Sequence, residues 1–291
     1  MDPVKTYENR RPTEEEDYRI LDHLLAKLQP REKKSFELRT IYDTLEDAQK
    51  VGDNNGIMSG YRELDIRTGG FKPSEVIILF GDTGHGKSML AQNITYRMAK
   101  EGNPVLFVGL EMSDEENTVR FKEIARLPYA EIGPLPILYP PKGASLGWQD
   151  MRPLIEQAKK EGCVMAVIDH LHAMKLPDAS NRQDAIEKMV YEFKSIARDN
   201  KIPIVVISHI SYRPDTDKPP HIDNLRGSAS IGQIADLAIG VYRDPNNFNQ
   251  DVLTVYIDKR RRGPKGKGFD LTAKDATLTE SVLQQVFPGS S

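Results

Sequence analysis

Eight consecutive residues constrain this chain more than any other stretch. Gly81-Asp82-Thr83-Gly84-His85-Gly86-Lys87-Ser88 matches the pattern G-x-x-x-x-G-K-[ST] at every required position. An apolar, β-rich run at 75–80 leads in, and a helical pattern from 88 to roughly 100 leads out. Strand, glycine-rich turn and helix occur in the order a phosphate cradle needs. Glycines at 81, 84 and 86 let the backbone fold around an anion, so that N–H groups of 81–88 and a helix N-terminus face it. Lys87 is placed to reach the β- and γ-phosphates of a nucleoside triphosphate, and the Ser88 hydroxyl to hold Mg²⁺. ATP or another NTP with Mg²⁺ is therefore the expected ligand set.

Composition narrows the rest. A length of 291 residues suits one large α/β domain with a shorter N-terminal segment. The net charge of −3 excludes nucleic-acid binding by bulk positive charge and leaves only a local patch. Cys163 is the single cysteine, so intrachain disulfides and cysteine-based zinc sites are excluded. No apolar run approaches transmembrane length, and the start, Met1-Asp-Pro-Val-Lys, lacks an apolar signal core. The expectation is a cytoplasmic protein with no membrane partner.

The pattern divides near residue 56. Residues 1–55 read as a helical N-terminal segment and linker: an amphipathic helix over about 14–28, a second over about 39–50, and a turn-rich joint, Gly52-Asp-Asn-Asn-Gly56. Two such helices need a partner surface, either each other and their own subunit or a neighbouring one. Over 56–291 apolar runs at 75–80, 104–110, 164–168 and 203–208 alternate with helical stretches, which predicts a twisted, mostly parallel sheet covered on both faces. Runs at 236–242 and 252–257, joined by a short polar loop, predict a hairpin-like extension. Residues 128–147, rich in proline and glycine, read as an exposed connection.

Two carboxylates stand at strand ends. Asp169 closes the run 164–168 and serves either as a ligand in the Mg²⁺ shell or as a helix cap. His170 and His172 follow it, but no cysteine or paired acidic motif nearby completes a shell, so zinc is not expected. Glu111 follows the run 104–110. Ser113 and Glu116 already form a capping box for the next helix, which leaves Glu111 either solvated or free to activate a water for attack on the γ-phosphorus.

Taken together, these features resemble the RecA-type motor domain of the DnaB-like hexameric replicative helicases, from about Gly56 to Phe287. Gly60-Tyr-Arg-Glu-Leu-Asp65 through Pro73 is similar to the family's lead-in, and Leu110-Glu111-Met112-Ser113 to its Leu-Glu-Met-Ser motif, whose glutamate is the base. Ile168-Asp169 matches the magnesium aspartate. His209 falls where the family carries a polar γ-phosphate sensor, often glutamine, and histidine there is closer to the bifunctional phage primase–helicases. Arg226-Gly227-Ser228 resembles the DNA-facing loop, and Lys259-Arg260-Arg261-Arg262-Gly263-Pro264 the segment that supplies a lysine and an arginine finger to a neighbour's nucleotide.

The resemblance implies an NTP-driven DNA helicase moving along single-stranded DNA as a homo-oligomer, a hexameric ring. Its catalytic residues would be Lys87, Glu111, His209 and Arg261, with Lys259 on the nucleotide, Ser88 and Asp169 on the metal, and Arg226, Gly227 and Ser228 on the strand. Arg226 otherwise makes a salt bridge in a turn, and the basic cluster is otherwise a solvated strand end or a phosphate-backbone patch; Arg261 is assigned among three adjacent arginines. A primase, polymerase or loader is an implied partner, while primase activity itself is not expected because only residues 1–55 precede the motor. A RecA-fold ATPase that mediates recombination or switches an assembly without unwinding is the alternative from another class.

Overall fold

The structure is a computed structural model and describes residues 56–210, 218–225, 229–261 and 266–280. The helices expected over 1–55 lie outside the described residues. In chain order the main elements are α1 (Arg62–Thr68), β1 (Val76–Gly81), α2 (Lys87–Lys100), β2 (Val105–Gly109), α3 (Asp114–Ala125), α4 (Tyr129–Ile132) and β3 (Ile137–Leu138). Next come α5 (Met151–Lys160), β4 (Met165–Asp169), α6 (Arg182–Asn200), β5 (Ile204–His209) and α7 (Ala229–Ile234). Strands β6 (Leu237–Tyr242), β7 (Val252–Arg260), β8 (Gly266–Lys274) and β9 (Thr277–Glu280) follow.

The nine strands among the described residues form one sheet in the order β3-β2-β4-β5-β1-β6-β7-β8-β9. Strands β1 to β6 run parallel, and β7, β8 and β9 extend the sheet antiparallel from β6. The alternation of side chains along a strand accounts for two cores. From β1, Val76, Ile78 and Phe80 pack with Ile155 of α5 and Met189 and Phe193 of α6. Ile77 and Leu79 point the other way, onto Leu90, Ile94 and Met98 of α2 and Phe121 of α3. Strands buried on both faces must be apolar at successive positions, which is why β1, β2, β4 and β5 read as unbroken runs. Each fully buried Leu, Ile or Phe contributes about 1.5–3 kcal/mol of transfer free energy.

The connection over 128–147 is largely exposed, as expected, and also contains α4 and the short edge strand β3, which pairs parallel with β2. Strands β8 and β9 add two rungs beyond the expected hairpin. The capping box forms as expected: Ser113 Oγ accepts from the Glu116 N–H at 3.1 Å and Glu116 Oε2 accepts from the Ser113 N–H at 2.8 Å. No helix among the described residues is long and apolar enough to cross a membrane.

Candidate active site

Parallel strands deliver their carboxyl ends to one edge of the sheet, and that edge gathers Lys87, Ser88, Glu111, Asp169 and His209. Register fixes the alignment: Gly81 stands opposite His209 between β1 and β5, and Gly109 opposite Asp169 between β2 and β4. Glu111 lies two residues beyond β2 on the same edge.

The phosphate loop follows β1. Gly84 has φ 81°, a conformation costly for any side chain, and Gly86 has φ 95° with the position of a Cβ only 2.5 Å from Leu253 Cδ2. Gly86 is the N-cap of α2 and brings no side-chain cap, so the first N–H groups of that helix are left for an anion. Lys87 is buried, and its Nζ donates to the Asp82 carbonyl oxygen at 2.8 Å. Burial lowers its pKa from 10.5 to about 8, opposed by the negative charges of Asp169, Asp82 and Glu111. A buried ammonium held against a loop carbonyl is poised for a stronger anionic partner.

Ser88 Oγ donates to Asp169 Oδ1 at 3.1 Å. This hydroxyl and carboxylate, beside an uncapped helix start and a buried lysine, fit a Mg²⁺-bound triphosphate, and Ser88 and Asp169 are the groups that would hold the ion. Bound there, Mg²⁺ neutralises charge on the outer phosphates. The remaining loop side chains play other parts. Thr83 Oγ1 lies 3.5 Å from His209 Nδ1. His85 turns toward β6, where its Nδ1 accepts from the Arg243 N–H at 3.1 Å and its ring sits 5.7 Å from that of Tyr242.

Glu111 is half exposed and meets two imidazoles. Its Oε2 lies 3.2 Å from His170 Nε2 and its Oε1 3.5 Å from His209 Nε2. The His170 and His209 rings stack at 4.2 Å with 9° between planes. Desolvation, then the positive charges of Lys87 and His170, lower the His209 pKa, partly offset by Glu111. Sequence reasoning gives His170 no role because Glu111, Ser88 and His209 reach it from other elements. The Asp-His pair is visible in the sequence, but Glu111 and His209 join it only through the fold.

The basic segment lies elsewhere. Arg260 pairs with Leu237, the first residue of β6, and Leu237 pairs with Ile77 near the start of β1. Arg261 is thus at the opposite end of the parallel strands from Lys87, across roughly 17 Å of β1. Arg261 Nη1 reaches Asp236 Oδ1 at 3.1 Å, with the guanidinium half exposed. Lys259 Nζ donates to the Gly232 and Gln233 carbonyl oxygens at the end of α7. Arg260 donates to the Arg67 and Thr68 carbonyl oxygens at the end of α1, a packing role. Arg226, Gly227, Ser228 and Arg262 lie outside the described residues.

Fold and site together define a phosphate-loop nucleotide-binding domain of the RecA-like α/β class. The chain belongs to the DnaB-like helicase C terminal domain family, whose model matches residues 56–132 and 137–277. It is 29% identical over 256 residues to the replicative DNA helicase DnaB of Geobacillus stearothermophilus, covering 77% of this chain and 56% of that protein. The replicative DNA helicase DnaC of Bacillus subtilis (strain 168) matches at 29% identity over 256 residues, with coverage of 77% and 56%. The chain thus spans about half the length of these curated relatives. Among solved structures, one described as an ATPase domain superposes with a TM-score of 0.73 at 23% identity, covering 84% of this chain and 100% of that one. A structure of a DnaB-like replicative helicase, described with its interactions with primase, superposes at 0.68 with 21% identity, covering 91% and 71%. At these identities the superpositions show the fold.

Proposed function

We propose that this chain is an NTP-driven DNA helicase motor that translocates on single-stranded DNA as a ring of identical subunits, hexameric in the family's manner. The observation that carries the reading is the separation of Arg261 from its own phosphate loop, while Lys87, Ser88, Asp169 and Glu111 share one sheet edge. Among the described residues the site has a cradle, a metal pair and a base but no second cation over the outer phosphates, which leaves it incomplete for phosphoryl transfer. Head-to-tail packing of copies brings the starting end of one sheet to the carboxyl end of the next, and a closed arrangement of that kind is a ring.

In this mechanism Lys87 and the loop N–H groups bind the triphosphate, Glu111 takes a proton from the attacking water, and Thr83-bound His209 senses the γ-phosphate. Arg261 of the neighbour, with Lys259, completes the charge. Hydrolysis becomes conditional on assembly, and Arg226, Gly227 and Ser228 grip strand phosphates without reading bases. Primase, polymerase and loader are the partner classes the family reading brings.

The test is NTP hydrolysis with and without single-stranded DNA, paired with strand displacement on a forked duplex. Stimulated hydrolysis with displacement is expected. Filament formation and strand pairing without displacement would move the protein to the recombination class.

A further inference from the structure

His170 Nε2 can carry one hydrogen, yet three oxygens converge on it: Asp169 Oδ1 at 2.9 Å, Glu111 Oε2 at 3.2 Å and Ser88 Oγ at 3.3 Å. His209 Nε2 adds another donor atom 3.5 Å from the second Glu111 oxygen. More lone pairs meet here than protons are present to satisfy them, and two of the groups are carboxylates around a buried imidazole. A cation resolves this better than a proton does. We propose that Glu111, His170 and His209 form a transition-metal site of the zinc class in the nucleotide-free protein, distinct in its ligands from the Ser88 and Asp169 pair.

Geometry supports the assignment. Ligating atoms of these three residues lie within 4.8 Å of one another. A tetrahedral ion with bonds of about 2.0–2.1 Å holds its ligand atoms about 3.3–3.4 Å apart. Each Glu111 oxygen stands near that spacing from one ring nitrogen, Oε2 at 3.2 Å from His170 Nε2 and Oε1 at 3.5 Å from His209 Nε2. The stacked rings must open slightly to aim both nitrogens at one point.

Ligand chemistry selects the ion. Two imidazoles and a carboxylate suit Zn²⁺, Co²⁺ or Ni²⁺, while Mg²⁺ prefers oxygen and water. Affinity has a ceiling, however. His170 Nδ1 is buried with no hydrogen-bond partner among the described residues, and such an outer contact is worth about 10–100-fold in metal affinity. A site open to exchange follows, rather than a permanent structural zinc. Occupancy would occupy the Glu111 carboxylate, so the ion and water activation exclude each other.

The test uses Co²⁺ as a coloured stand-in, titrated into full-length, chelator-treated protein without nucleotide. One equivalent should bind with the visible absorption of a low-symmetry four- or five-coordinate ion, and Zn²⁺ but not Mg²⁺ should displace it. Glu111→Gln and His209→Ala, both reaching solvent, should each weaken binding at least tenfold. His221→Ala, which removes an imidazole paired with Asp258 and outside the three-residue cluster, should leave it unchanged. Both variants must show wild-type circular dichroism. Wild-type affinity in both folded variants would overturn the assignment, as would absence of the absorption band from the wild-type protein. The result does not depend on whether the protein unwinds DNA.

Discussion

Arg261 holds Asp236 at 3.1 Å, and the other oxygen of Asp236 holds Lys194 and accepts from the Val76 N–H at 2.9 Å, where β1 begins. One buried carboxylate therefore anchors the guanidinium to the first residue of the strand whose far end is the phosphate loop. Such an anchor sets the direction of an otherwise mobile side chain and ties it to the sheet. In the proposed ring, a change in the pitch of one sheet against the next would be felt at Arg261.

Action in trans is the sharpest consequence. Arg261→Ala subunits are expected to keep nucleotide affinity but fail to complete the neighbour's site, with a loss of about 10³–10⁵ in hydrolysis. Lys87→Ala subunits lose their own site and retain the finger. In mixed rings, an intact loop from an Arg261→Ala subunit faces an intact finger from a Lys87→Ala subunit, so part of the activity should return. With mixing verified by mass, no recovery would refute action in trans, and full activity of Arg261→Ala alone would refute the finger.

Glu111→Gln keeps the size and loses the basicity of the carboxylate. Nucleotide binding should persist while hydrolysis falls by about 10²–10⁴. Fluorescent-nucleotide binding and single-turnover hydrolysis measure the two separately, and near-normal turnover would leave Glu111 as a solvated strand-end residue.

The parallel centre of the sheet was legible because strands buried on both faces leave continuous apolar runs, and the phosphate loop names its own chemistry. Strand β8 carries a regular alternation, Phe269, Leu271 and Ala273 with Asp270, Thr272 and Lys274 between them, but no continuous apolar run like those of the central strands. Strand β3 has two residues and borrows its order from β2. The imidazole pair was not legible at all: His170 and His209 meet through the pairing of β4 with β5, a relation that no local spacing encodes.

Arg226→Ala should weaken single-stranded DNA binding evenly across sequences. The slope of log affinity against log salt should fall by about one, since a single phosphate contact is removed. Hydrolysis without DNA should hold. Equal affinities across the salt titration would return Arg226 to a structural role.

Lys87 should cost the nucleotide-free protein stability. Its pKa is about 8 in the fold against 10.5 when solvated, chiefly through burial. Between those values the unfolded chain holds a proton that the folded chain has released, so stability rises with pH over that window. Below pH 8 the folded protein bears the whole desolvation cost, on the order of 3 kcal/mol from the pKa difference. Lys87→Met keeps the aliphatic stem and removes the charge, at the loss of the hydrogen bond to Asp82 O, about 1 kcal/mol. Its melting temperature at pH 7 should therefore exceed that of wild type by a few degrees, while nucleotide binding disappears. The advantage should shrink steadily as pH rises from 8 toward 10.5. An advantage that stays constant over this range would show that the ammonium is not desolvated, and a lower melting temperature at pH 7 would show that its contacts outweigh its burial.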